Sequence, residues 1–216
     1  MGYNYVSYAS GVPYNAGTPY QLGRYLLSTA ATATAVSVAE VREHLRITAI
    51  DSGETTYLTN LINVATEMVQ NYTGQILLDC KYDLHLPYFI NRIDINRGVV
   101  SSIDHVKYYD SSNSLQTITA SNYSFDGGHN DIGDQSPTGG FILPADNYNY
   151  PDTYPRMDAV RIKFNAGYDN ASLVPMAIKQ AMLLIIGEFY TNRVNRVHTM
   201  PTLAEYLLNP YKLATI

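Results

Sequence analysis

One loop holds the residues best suited to chemistry. Asp126-Gly-Gly-His-Asn-Asp-Ile-Gly-Asp134 gathers three carboxylates and an imidazole, and carboxylate oxygens bind hard cations. The Asp-x-Asp-x-Asp-Gly order of a calcium loop is missing, and glycine and aspartate also fill turns for backbone reasons alone. Metal-assisted hydrolysis through Asp126, His129 and Asp131 is the one enzymatic reading offered here. Elsewhere there is no phosphate-binding Gly-x-x-x-x-Gly-Lys, no Gly-x-Ser-x-Gly elbow, no His-Glu-x-x-His and no dinucleotide glycine fingerprint. His44, His85, His105, His129 and His198 are dispersed, with His85 and His105 on the wet faces of strands. Cys80 alternates with apolar neighbours, as a small buried hydrophobe does. Arg193 and Arg196, with His198 nearby, suit phosphates or acidic partners, and equally suit a helix end where cations complement the dipole. The expectation is a protein with no catalytic constellation, no cofactor and no metal: not an enzyme.

The elements that would position these groups follow from periodicity. Ser37-Val-Ala-Glu40 is a capping box, with Val38, Val41 and Leu45 at helical spacing. A second helix opens near Asp51–Glu54. Its stripe of Leu58, Leu61, Ile62, Ala65, Met68, Val69 and Tyr72 is core, and Gly74 ends it. From residue 76 the period becomes two. Leu78, Cys80, Tyr82, Leu84 and Leu86 alternate with charged residues, and Ile93 and Ile95 suggest a short partner strand. Val99–Tyr109 reads as a longer strand whose apolar phase slips between Ile103 and Val106, as a bulge produces. Ile118–Phe125 returns as the next strand, and Val160, Ile162 and Phe164 close the sheet. A third helix begins near Pro175, and its Ala181–Ile186 run is apolar on every face, so it is surrounded by its own domain or by a neighbour. Thr202-Leu-Ala-Glu205 reads as another capping box, starting a short helix that Asn209-Pro210 stops. The fold class is α+β, a small helical bundle with an inserted antiparallel β-sheet domain. Residues 1–36 form a Tyr/Gly/Ala-rich arm, 37–75 the first helices, 76–170 the β region, and 171–216 the last helices and tail, packing with 37–75.

Composition narrows the function class. The 216 residues include 14 basic and 19 acidic side chains, 20 tyrosines, one cysteine and no tryptophan, with a net charge of −5. A single cysteine excludes a disulfide framework. No apolar run approaches about 18 residues, so no membrane span or signal segment is expected. Mild acidity argues against a dedicated DNA-binding module, which would carry a basic stripe. Charged residues make up 15%, against a usual level of about 25%. Protein interfaces deplete Lys and Glu and enrich tyrosine, so an assembly subunit is the favoured reading. The arm shows no helical or strand period. Its tyrosines, Tyr3, Tyr5, Tyr8, Tyr14, Tyr20 and Tyr25, suit contacts laid across a neighbour.

Several segments then align with a family. They are Leu61-Ile62 and Ala65 through Thr73-Gly74; Val100-Ser-Ser-Ile103 with Val106 and Tyr108; Val160-Arg-Ile162 through Ala166-Gly167-Tyr168; Val174-Pro175; Lys179-Gln-Ala181; Tyr190-x-x-Arg193; and Leu207-Leu208-x-Pro210-Tyr211-Lys212. In this order, over about 37–213, the chain resembles the head–tail connector (adaptor) proteins of tailed bacteriophages. Tyr154-Pro155 stands where many members carry Trp-Pro.

The resemblance implies a structural subunit of the virion neck, assembled in the host cytoplasm. It would form a homo-oligomeric ring, dodecameric in most members, that joins the portal to the next neck or tail component and lines part of the DNA channel. It also implies that the C-terminal segment reaches toward the portal, a role that falls here on Leu203, Tyr206, Leu207, Leu208 and Tyr211. Arg193 and Arg196 become candidate contacts to acidic partners or to DNA in transient passage. The alternative is a glycan- or receptor-binding tail module, resting on the tyrosine-rich 141–157 with Tyr148 and Tyr150 as stacking faces. Truncation after Met200, or removal of residues 1–36, is expected to spare the fold and harm assembly.

Overall fold

A computed structural model describes residues 23–48, 51–128, 139–193, 200 and 202–213. Among them, helices and strands build two adjoining cores.

The helical core begins with α1 (Val38–Leu45). Ser37 Oγ accepts from the Glu40 amide, and the Glu40 carboxylate accepts from the Ser37 amide at 2.7 Å. Glu40 also meets Lys179 Nζ at 3.3 Å, tying α1 to α3 (Met176–Thr191). These contacts, led by the Ser37 amide, lower its pKa. In α2 (Ser52–Thr73), Asp51 caps the start and Gly74, at φ +74°, ends it. The stripe read from the sequence is buried: Leu58, Leu61, Ile62, Ala65 and Val69. Helix α3 contributes Ile178, Ala181, Met182, Ile185 and Ile186 to the same core, so its apolar run is enclosed chiefly by this chain. Pro175 is the cap residue just before α3, and α4 (Thr202–Leu208) includes Thr202 within the helix.

The second core lies between two antiparallel sheets. The larger has the order β1-β2-β8-β4-β5, from β1 (Arg24–Thr29), β2 (Cys80–Leu86), β8 (Val160–Ala166), β4 (Val100–Tyr109) and β5 (Leu115–Ile118). The smaller is β3-β7-β6, from β3 (Ile93–Ile95), β7 (Gly140–Pro144) and β6 (Tyr123–Asp126). Leu84, Val106, Ile162 and Phe164 of the first sheet meet Ile93, Ile95 and Ile142 of the second. Tyr25 and Tyr82 flank Phe164 on this inner face, with centroids at 6.2 and 6.0 Å. The phase slip in β4 is a register shift between Ile103 and His105. Cys80 is only half-buried, and burial raises its thiol pKa.

Four expectations are corrected. The segment around Ile93 pairs with β7, not with β2, because its two isoleucines face the core from the second sheet. Residues 118–125 are not one strand: a 3-10 turn at Ala120–Asn122 passes the chain from the larger sheet to the smaller. β8 does not close the sheet but lies at its centre, with Phe164, Ile162 and Ala166 fully buried. Residues 24–29, read as part of a periodless arm, form edge strand β1. There Tyr25 opposes Leu84 and donates to the Asp94 carbonyl, while Ala35 and Val36 are buried in the helical core.

The cores join at Gly167. Its φ is +103°, and a Cβ there would stand 2.5 Å from the Leu78 carbonyl carbon. Its amide donates to Val99, and the Tyr168 amide to Leu77, a helical-core residue. Gly167→Ala adds both a left-handed strain and a backbone clash; it should cost at least about 1–3 kcal/mol, read as a lowered denaturant midpoint. Near the β4–β5 turn, Asp158 accepts from Arg156 and from Arg161, holding its carboxyl at about 2. The Arg156 contact is the main cause. A depressed carboxylate stabilises the fold above its unfolded pKa of about 3.9 and loses that contribution as pH falls through the folded value. Asp158→Asn should therefore flatten the decline in urea midpoint between about pH 4 and pH 2.

Candidate interaction surfaces

Helix α4 divides its residues between two tasks. Ala204 and Leu208 are 0% exposed in the helical core, whereas Leu203 is 58% and Tyr206 75% exposed. Leu207 and Tyr211 are half-buried against the same core. The segment after α4 is fixed to the end of α2. Tyr72 Oη donates to Asn209 Oδ1 at 2.6 Å, the Leu213 amide donates to the Thr73 carbonyl at 2.8 Å, and Gln75 Nε2 donates to the Tyr211 carbonyl. Leu208 is therefore corrected from an interface residue to a core residue. Truncation after Met200 removes part of the subunit's own core. The outward surface of α4 is Leu203 and Tyr206, and Met176 and Leu173 near the start of α3 are further exposed apolar side chains.

Arg193, at the end of α3, lays its guanidinium 4.7 Å from the Tyr57 ring and 5.0 Å from the Tyr190 ring. Tyr190 Oη donates to Glu54 Oε1 at 2.6 Å, and Glu54 raises the phenol pKa. Arg193 is exposed and free of a carboxylate partner of its own among the described residues. Arg196, His198, His129, Asp131 and Asp134 lie outside the described residues, as do Tyr3, Tyr5, Tyr8, Tyr14 and Tyr20. Tyr25 is inside this chain's own sheet and is corrected from an arm contact to a core side chain. Asp126 Oδ1 accepts from the Gly128 amide, a turn-forming bond. No group of three or more metal-ligating side chains occurs among the described residues.

The tyrosines proposed as sugar platforms point another way. Tyr150 stacks on buried Phe89 with centroids 4.4 Å apart and planes at 9°, and Tyr148 packs edge-on to Tyr150. Burial drives the Tyr150 hydroxyl pKa upward. Both rings support the sheet core, so the stacking surface required by the glycan reading is used internally.

Residues 35–130 match the phage gp6-like head-tail connector protein family. The sequence motifs and the family match name the same family. Three solved structures share the fold, each at 20% identity over 89% of this chain. One is from the neck of an empty gene transfer agent particle computed with C6 symmetry, with TM-score 0.71 and 97% of that chain covered. Another is from a native gene transfer agent virion, at 0.69 and 96%. A third is from a native particle neck computed with C12 symmetry, at 0.67 and 97%. No curated protein sequence matches the chain.

The two sides of α4 separate experimentally. Leu208→Ala should lower stability by about 2–5 kcal/mol, since it opens a cavity in a closed core. Tyr206→Ala should change it by less than about 0.5 kcal/mol; guanidinium melts of the two variants check this.

Proposed function

We propose that this chain is a structural subunit of the neck of a tailed-phage-like particle. It forms a ring that joins the portal to the next neck or tail component and surrounds part of the DNA path. The observation that carries the reading is the connector family match over residues 35–130. Coverage of almost the whole chain by the neck fold supports it. In this reading the role is geometric rather than catalytic: a ring needs two unlike surfaces on each subunit, because a rotational contact pairs different patches.

Leu203 and Tyr206 are the portal-directed contacts, since an exposed leucine and tyrosine on one short helix supply apolar area with a hydrogen-bonding tip. Residues 1–22, with Tyr3, Tyr5, Tyr8, Tyr14 and Tyr20, serve as an arm onto a neighbour. Arg193 and Arg196 remain candidate contacts to acidic partners. The arm's inner boundary is set by β1. Deleting residues 1–36 would strip an edge strand together with Ala35 and Val36, whereas deleting 1–22 removes none of the described core side chains.

Electron microscopy and native mass spectrometry of assembled particles test the assignment. The expected result is a closed ring of this chain between portal and tail, of about twelve copies as the resemblance implies. A chain recovered only as a free monomer, absent from the neck, overturns it. The 1–22 deletion should keep its circular dichroism spectrum and melting profile but give fewer rings, and Leu203→Ala with Tyr206→Ala should weaken portal association.

A further inference from the structure

The outer face of the five-stranded sheet carries a cationic row that the net charge conceals. Strand register places Arg24 opposite His85, His85 opposite Arg161, Arg161 opposite Lys107 and Lys107 opposite Thr117. One line of side chains thus crosses the whole sheet, and no carboxylate interrupts it. The next rows hold Lys163 with His105 and Asp83, then Lys81 with Asn165 and Ser102. Arg156 lies at the upper margin, its guanidinium 3.7 Å from the Tyr109 ring. Six cations (Arg24, Lys81, Lys107, Arg156, Arg161, Lys163) share this face with Asp83, Asp104 and Asp158. The rest of the chain holds eight basic and sixteen acidic side chains.

Arg161 and Lys107 stand directly opposite as like charges, which opposes sheet formation, so folding alone does not account for that pair; His85, whose pKa burial lowers, separates Arg24 from Arg161. Local pairing relieves part of it: Lys81 meets Asp104 at 3.0 Å, and Arg156 and Arg161 share Asp158. Arg24, Lys107 and Lys163 have no carboxylate partner among the described residues. The face belongs to neither core, and no described helix packs over it.

We infer that this sheet face contacts the phosphate backbone of double-stranded DNA. The inference rests on the neck reading only for why DNA would be at hand. Chemistry selects the partner. Protein docking sites are organised around buried apolar anchors, and the apolar side chains that register places on this face are few: Leu26, Tyr109 and Leu115. Leu26 and Leu115 sit on opposite edge strands, and Tyr109 is covered by Arg156. Regular cations without an anchor suit a repeating anion. Strand spacing puts Arg24 about 14 Å from Lys107, comparable to the width of a DNA major groove, about 12 Å. The three interspersed carboxylates keep the contact weak, as suits DNA that must move past.

Anisotropy of a labelled 24-base-pair duplex titrated with the full chain tests this. Three free cations predict affinity falling about 40-fold between 50 and 200 mM salt. Lys107→Gln with Lys163→Gln should weaken binding more than tenfold at 50 mM and flatten the salt slope, with unchanged circular dichroism and ring formation. Lys212→Gln, on the opposite core, should do neither. No binding at 20 mM salt overturns the inference, as does a double variant that binds like the parent. Equal competition by polyglutamate overturns it in favour of an acidic protein partner. Loss of DNA binding with rings intact speaks to this face, whereas absence of the unmodified chain from the neck speaks to the parent reading.

Discussion

The close approach of Gly167 to the Leu78 backbone is the constraint on which both cores depend. At that point β8, the central strand of the larger sheet, passes into the segment leading to α3, while the chain leaving α2 passes into β2. The two segments cross within van der Waals distance, held by the Tyr168 to Leu77 and Asp79 to Tyr168 hydrogen bonds. A side chain at 167 would force the helical and β cores apart. Gly167 is thus one of the close contacts that hold the helical core against the sheet.

Around this joint the molecule uses tyrosine in two ways. Tyr25, Tyr82, Tyr108, Tyr148 and Tyr150 pack against the sheet core with their rings, whereas Tyr206 is turned outward from a helix whose other side is closed. The same residue type that marks an interface in composition therefore also does the work of phenylalanine inside. Charge is divided likewise. Six of the fourteen basic side chains lie on one sheet face with three of the nineteen acidic ones, and the rest of the chain is acidic. Net charge, a sum over all faces, carries no trace of that division.

Helices were the legible part of the sequence. Ser37, Glu40 and Gly74 act through contacts within a few residues, and the stripe from Leu58 to Val69 repeats at the period of its own helix, so both are recorded in local pattern. The bulge in β4 was legible too, because a phase slip lies within one strand. Strand partnership was not. Nothing in Ile93-Asp-Ile95 distinguishes a partner at β2 from one at β7, and the central position of β8 depends on neighbours far away in sequence. The candidate surfaces divide by the same logic. The short helix opening at Thr202 was readable, but which side of α4 is covered depends on the packing of α3 and α4. The cationic row was invisible because its members, Arg24, His85, Arg161 and Lys107, become neighbours only through register.

The position of β8 also has a consequence for biosynthesis. It pairs with β2 and β4, which precede it by some 60 to 80 residues, and α3, which completes the helical core, comes later still. A nascent chain that has emerged as far as residue 150 possesses neither finished core. Its apolar strands stay uncovered until the last quarter of the polypeptide leaves the ribosome. Such late closure favours slow, non-local folding and a window of self-association, so holding chaperones during translation would bear directly on the yield of folded chains.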